Sequence, residues 1–140
     1  MKTIFSAIIC LILFCGCASS TFTSKPENAR IKIGKTDISG EGAVTGRIPR
    51  TTFGKYPVKV EKAGYQPFYA MLPLNVSGGV IALDVLLFAP ATFFNVQGPF
   101  YYYEFDLDKE LIRYKDEETE DWKEYRIPFA EKDRARRHFE

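Results

Sequence analysis

Residues 100–107 read Phe100-Tyr101-Tyr102-Tyr103-Glu104-Phe105-Asp106-Leu107, and this stretch decides the fold class. Tyr101, Tyr103, Phe105 and Leu107 fall on one side of an extended chain, and Tyr102, Glu104 and Asp106 on the other. An aromatic-rich run with a period of two predicts a half-buried strand. Asp108-Lys109 then turns into a second strand over Leu111 to Tyr114. The acidic run 116–121 (DEETED) links it to a third over Trp122 to Ile127, so an antiparallel three-stranded meander is the economical reading. Tyrosines in such a strand are expected mainly as cross-strand packing pairs, with a carbohydrate-stacking platform as the alternative. The acidic run lacks the glycine of an EF-hand loop and reads as a solvated turn. Pro128 opens a terminal helix to about Phe139. Glu131 and Asp133 lie in its first turns and Arg134, Arg136, Arg137 and His138 in its last, an order that complements the helix dipole.

Upstream, residues 74–96 (LNVSGGVIALDVLLFAPATFFNV) form the most apolar stretch after the N-terminal region. From Val80 to Ala89 only Asp84 is polar, which predicts a buried helix, here placed at about 78–90, in preference to an amphipathic one. Two other readings stay open: insertion into a bilayer, against the cost of Asp84 and the break at Pro90, or burial against a partner. Further upstream, Ala29, Ile31 and Ile33 alternate with Arg30 and Lys32, and Val58 and Val60 alternate with Lys59 and Glu61, predicting two more strands. Residues 37–46 (DISGEGAVTG) read as a glycine-rich connection. The spacing of Gly40, Gly42 and Gly46 is one residue too long for a dinucleotide-binding loop, and no helical pattern follows it.

The order of a strand, Gly46-x-x-Pro49, Gly54-Lys55-Tyr56, the strand Val58-Lys59-Val60-Glu61-Lys62 and then Gly64-Tyr65-Gln66-Pro67 resembles PEGA-type modules, small β-sandwich repeats of exported and surface proteins. The resemblance covers about residues 29–74. It implies a binding or spacer module and carries no catalytic residues. Together these readings predict a mainly β domain with minor α (α+β): a small antiparallel β-sandwich-like domain, one buried apolar helix, a C-terminal β-meander and a terminal helix, all within a single periplasmic domain over residues 29–140.

The N-terminus carries a different signal. Lys2, the apolar run Ile4 to Phe14 and the small residue Gly16 have the layout of a secretory signal peptide, and the run is too short to span a bilayer. The ending Phe14-Cys15-Gly16-Cys17 resembles the lipobox of bacterial lipoproteins. That resemblance implies cleavage after residue 16, lipid attachment at Cys17 and a membrane association through the N-terminal lipid. With alanine in place of aspartate at residue 18, it also implies the outer membrane, facing the periplasm. An ordinary cleaved signal is the other reading. Of the three cysteines, Cys10 and Cys15 would leave with the signal, and lipid attachment would remove the one remaining free thiol from an oxidising compartment. Residues 17–28 are polar and read as a lipidated tether.

Charge narrows the partners. Without Lys2 the chain has eighteen basic and eighteen acidic side chains, a balance that argues against nucleic acid. Nine basic and four acidic residues lie between Lys25 and Ala70, against nine and thirteen between Tyr101 and Glu140. This asymmetry predicts two oppositely charged solvated faces near each other, or a basic face turned toward anionic headgroups. His138 is the only histidine and stands in a basic terminal stretch, so thiol and histidine chemistry have no constellation to work with. No catalytic, cofactor or metal residues are expected. The expected function is a non-enzymatic structural or binding module of the cell envelope. The alternative is an accessory subunit whose apolar segment, about 78–96, docks to an envelope protein partner or enters the membrane.

Overall fold

The computed structural model describes residues 17–51, 54–76 and 97–140. Both the signal region before Cys17 and the apolar helix expected at 78–90 lie outside these residues. The described chain is mainly β, with eleven strands in three sheets and one C-terminal helix.

β1 (Cys17–Lys25) occupies an interior position in a five-stranded sheet. Its antiparallel neighbour is β4 (Val44–Pro49), with Cys17 opposite Pro49 and Phe22 opposite Val44. On its other side β9 (Tyr102–Asp106) runs parallel, with Phe22 beside Tyr103. β10 (Leu111–Lys115) and β11 (Lys123–Arg126) complete the sheet as an antiparallel meander with β9. A second sheet has the order β3-β2-β5-β6, formed by β2 (Arg30–Ile33), β3 (Thr36–Ile38), β5 (Pro57–Glu61) and β6 (Phe68–Met71). β7 (Leu74–Val76) and β8 (Gln97–Pro99) pair as a short antiparallel ladder.

The tether expected over residues 17–28 is therefore corrected: Cys17–Lys25 is a strand paired on both edges. Its polar composition disguised its position. Ser20 and Ser24 point inward and are buried, but Ser20 Oγ donates to the Phe100 carbonyl at 2.6 Å. Ser24 Oγ donates to the Pro26 carbonyl at 2.8 Å and accepts from the Ala29 N–H at 3.1 Å. A buried hydroxyl is tolerated when its hydrogen bonds are made inside the protein. Between the two serines Phe22 is fully buried, its ring stacked on Tyr103 at 5.4 Å and an interplanar angle of 5°.

The glycine-rich connection at 37–46 is also corrected. β3 ends within it and β4 begins within it, leaving the turn to residues 39–43. Gly46 is there for close approach. A Cβ at this position would come within 2.7 Å of Ile38 Cδ1 and 3.2 Å of the Phe22 ring, so a side chain here would oblige Ile38 or Phe22 to shift.

Both larger sheets contribute to one apolar core. Phe22, Ile48, Tyr103, Phe105 and Ile112 come from the first, and Ile31, Ile33, Val58, Val60, Phe68 and Ala70 from the second. The inward set of the 100–107 stretch is Tyr103 and Phe105, as the period of two requires, while Tyr101 is 60% exposed. Tyr103 also pins the β7–β8 pair: its hydroxyl donates to the Pro73 carbonyl at 2.6 Å and accepts from the Phe100 N–H at 2.9 Å. Burial pushes the Tyr103 hydroxyl to titrate well above the ordinary tyrosine range. The helix α1 (Phe129–Phe139) lays Ala135 and Phe139 against Tyr69 and Met71 of β6.

Replacing Phe22 by alanine tests the placement of β1. A side chain in a tether is dispensable, whereas the loss of this core ring should cost about 3–5 kcal/mol, read as a large shift in the urea unfolding midpoint.

Candidate functional site

Two positions are candidates: the start of β1 and the outer face of the same sheet. Cys17 is the first residue of β1 and stands opposite Pro49 at the sheet end. The residue that the sequence nominates for lipid attachment is therefore itself part of the first sheet.

The outer face is built by alternation. With Phe22 and Tyr103 inward, the parallel register of β1 and β9 sets Thr21 beside Tyr102 and Thr23 beside Glu104 on the opposite side. These residues floor a groove of about 450 Å³, bounded by Lys25 and by Trp122 from the β10–β11 connection. Lys115 is buried between two rings, its Nζ 5.5 Å from the Tyr102 centroid and 4.9 Å from that of Trp122. The same Nζ donates to the Glu118 carbonyl. Arg113 adds a guanidinium carbon 5.7 Å from the Trp122 centroid. Such cation–π contacts are worth about 0.5–2 kcal/mol each, enough to hold an otherwise mobile surface tryptophan in one orientation. The Glu104 carboxylate is drawn in from two sides, by Arg113 Nη2 and by Lys25 Nζ at 3.4 Å. Thr23 Oγ1 donates to the Tyr103 carbonyl at 3.2 Å, which leaves its oxygen lone pairs directed away from that bond.

A second hollow, around Asn28, Arg30, Asp37 and Ser39, has its charges satisfied internally. Arg30 donates twice to Asp37 Oδ2, at 3.0 and 2.6 Å, and Ser39 Oγ donates to Asp37 Oδ1. The hydrogen bonds from Arg30 hold the Asp37 carboxyl below the usual carboxylate range.

The acidic run 116–121 folds back on itself between β10 and Trp122. Glu120 accepts from the Asp116 N–H at 3.1 Å, and Asn75 donates to Asp116 Oδ2 at 3.0 Å. Burial, with the neighbouring Glu120 charge, raises the Asp116 carboxyl above its ordinary range. Among the described residues no group of three His, Cys, Asp or Glu side chains is placed to hold a metal ion, and no helix is long and apolar enough to cross a membrane. His138 is exposed on α1, its ring edge-on to Phe139. Basic residues of the first half pair with acidic residues of the second: Lys25 with Glu104, and Lys55 with Glu131 at 2.6 Å. Burial opposes the Lys55 ammonium, yet the hydrogen bonds to Glu131 and Tyr125 outweigh it and raise its pKa. The two oppositely charged halves thus neutralise each other in part across the fold.

Sequence reasoning missed Thr21, Thr23, Lys115 and Trp122 as neighbours. The alternation of residues 20–24, with Ser20, Phe22 and Ser24 on one side, was the available signal, hidden by the polar composition of that stretch. No family model matches the chain, and neither curated proteins nor solved structures show a significant match to it.

The Asp116 geometry has a testable consequence. A carboxyl whose folded-state pKa is raised costs stability while it is ionised, and that cost disappears as pH falls through the raised pKa. Asp116→Asn should therefore raise the melting temperature at pH 7, and the advantage should vanish by pH 3, as read by calorimetry across that range.

Proposed function

We propose that this protein is a lipid-anchored cell-envelope protein whose domain acts as a non-enzymatic binding or structural module, held at the outer membrane and facing the periplasm. The observation that carries the reading is the place of Cys17: the residue that ends the lipobox-like sequence is paired into the first sheet, opposite Pro49 at the sheet end. Several acyl chains on one residue anchor stably, at about 0.8 kcal/mol per buried methylene. Because β1 is paired to Pro49 from its first residue, the lipid would hold the domain directly against the bilayer with one fixed end toward it. We read the two larger sheets around their common core as a β-sandwich-like module related to the PEGA type, a reading supported by the antiparallel pairing of β2 with β5 across residues 30–33 and 58–61. The groove on the outer face supports binding in preference to a purely spacing role.

A second reading is favoured by one further observation. Val76 pairs with Gln97, and Gln97 forms a bridge to Thr51, two residues beyond the Pro49 that faces Cys17. Val76 and Gln97, the described residues on either side of the apolar stretch 77–96, therefore stand near the sheet end that holds Cys17 and Pro49. This is the arrangement expected of an accessory subunit that docks to an envelope protein, or enters the membrane, beside its own anchor.

Changing Cys17 to serine should release the protein from membrane fractions and abolish incorporation of a fatty-acid label. Unlabelled wild type with unchanged fractionation would overturn the anchor. For the second reading, a photoreactive amino acid at Val76, which is 51% exposed, should crosslink in native membranes to one protein or to acyl chains. Crosslinks to neither would leave the module reading alone.

A further inference from the structure

The groove on the outer face of β1 and β9 brings together three kinds of group that the core does not require. Tyr102 and Trp122 offer aromatic surface, Thr21 and Thr23 offer hydroxyls, and Glu104 offers a carboxylate. Each is held in place. The rings are fixed around Lys115, with Trp122 keeping 37% of its surface exposed. The threonines are fixed by the strand ladder, and Glu104 is fixed by Arg113 and Lys25. Pre-organised groups of this kind lower the ordering cost that binding otherwise incurs.

The electrostatics select the ligand class. An anion entering the groove would meet two carboxylates, Glu104 and Glu27, while Lys25 in its lining and Arg113 behind it are already committed to Glu104. A cation would have to compete with Lys25 and Arg113, which already hold the Glu104 carboxylate. A wholly apolar ligand would take the Thr21 hydroxyl and the remaining acceptor positions of Thr23 and Glu104 out of water with nothing in exchange. A neutral ring with apolar C–H faces and a rim of hydroxyls meets none of these penalties. Its face stacks on an aromatic ring, and its hydroxyls donate to Glu104 and exchange hydrogen bonds with Thr21 and Thr23. The volume, about 450 Å³, lies within the span of small-molecule sites, about 300–1,000 Å³.

We infer that this groove is a saccharide-binding site, which takes a neutral pyranose unit of a glycan chain on Trp122 and Tyr102 and reads its hydroxyls with Glu104, Thr21 and Thr23. The inference deepens the binding-module reading and rests on it for the compartment in which a glycan is met. Trp122 is a stacking platform, Glu104 the hydrogen-bond acceptor, and Lys115 a positioning residue for both rings.

Trp122 is the only tryptophan of the chain, so its emission reports this groove directly. The full-length processed protein, purified in a detergent without a sugar headgroup, is titrated with hexamers of N-acetylglucosamine and of glucose, and with a neutral aromatic peptide as the competing ligand. A saturable change in Trp122 emission with at least one hexamer, half-complete below about 1 mM, an affinity of about 4 kcal/mol, is the expected result. Glu104→Gln and Thr23→Val should each weaken that binding about tenfold or more while keeping a cooperative melt. Thr23→Val serves if Glu104→Gln fails to fold. Lys115→Met should weaken binding and also shift the emission of the unliganded protein, because the ring loses its cation. Absence of a saturable change with both hexamers up to about 10 mM, an affinity near 2.7 kcal/mol, overturns the assignment. So does saturation by the peptide alone, or saccharide affinity unmoved by both variants. Acyl labelling at Cys17 is read separately, so a failure of the saccharide site and a failure of the envelope anchor give different results.

Discussion

The stacking of Phe22 on Tyr103 joins parts of the chain eighty-one positions apart, and the rest of the structure depends on it. β1 is held in parallel to β9 by this contact and by the ladder around it, while β4 closes its other edge. Parallel neighbours cannot be joined by a tight turn, so a long connection separates β1 from β9, and described strands of the other sheets lie within it. β4 returns early, and the second sheet forms from what remains, packing Ile31, Val58, Val60 and Phe68 onto the same core. Remove the Phe22 ring and the two halves of the chain lose their common centre.

The same ladder makes the outer face. Pointing Phe22 and Tyr103 inward obliges Thr21, Thr23, Tyr102 and Glu104 to point outward, because neighbouring residues of a strand alternate between faces. Core packing and the groove are therefore two consequences of one register, and a slip of one residue would exchange them. The β10–β11 connection then contributes Trp122, and the buried Lys115 ammonium between two rings converts a surface loop into a fixed wall. The position of Cys17 follows from the ladder as well. With pairing to Pro49 from the first residue, the N-terminal end of β1 is rigidly part of the sheet, and an anchor there would orient the domain as well as retain it.

Much of the secondary structure was legible in the sequence. The alternations at residues 30–33, 57–61 and 102–106 are strands because each carries large apolar residues on one side only, the signal that a half-buried sheet demands. The terminal helix was legible from Pro128 and the ordering of its charges. Two stretches were not. Residues 17–25 have one large apolar side chain, Phe22, among serines and threonines, and nothing local says that the serine hydroxyls will find carbonyls at Phe100 and Pro26. Val44–Pro49 contains a glycine and a proline, both poor strand residues, and is a strand through its antiparallel ladder with β1, with Gly46 close against Ile38 and Phe22.

By itself, the sequence determined the mainly β class of the fold with its terminal helix, since these are read from residue type and local period. Only the tertiary structure decided that the supposed tether is an interior strand, that β1 and β9 run parallel, and that Trp122, Tyr102, Thr23 and Glu104 share one groove. The reason is physical: periodicity reports which side of an element is buried, but the partner that buries it lies far along the chain and is selected by packing and hydrogen bonding across the whole domain.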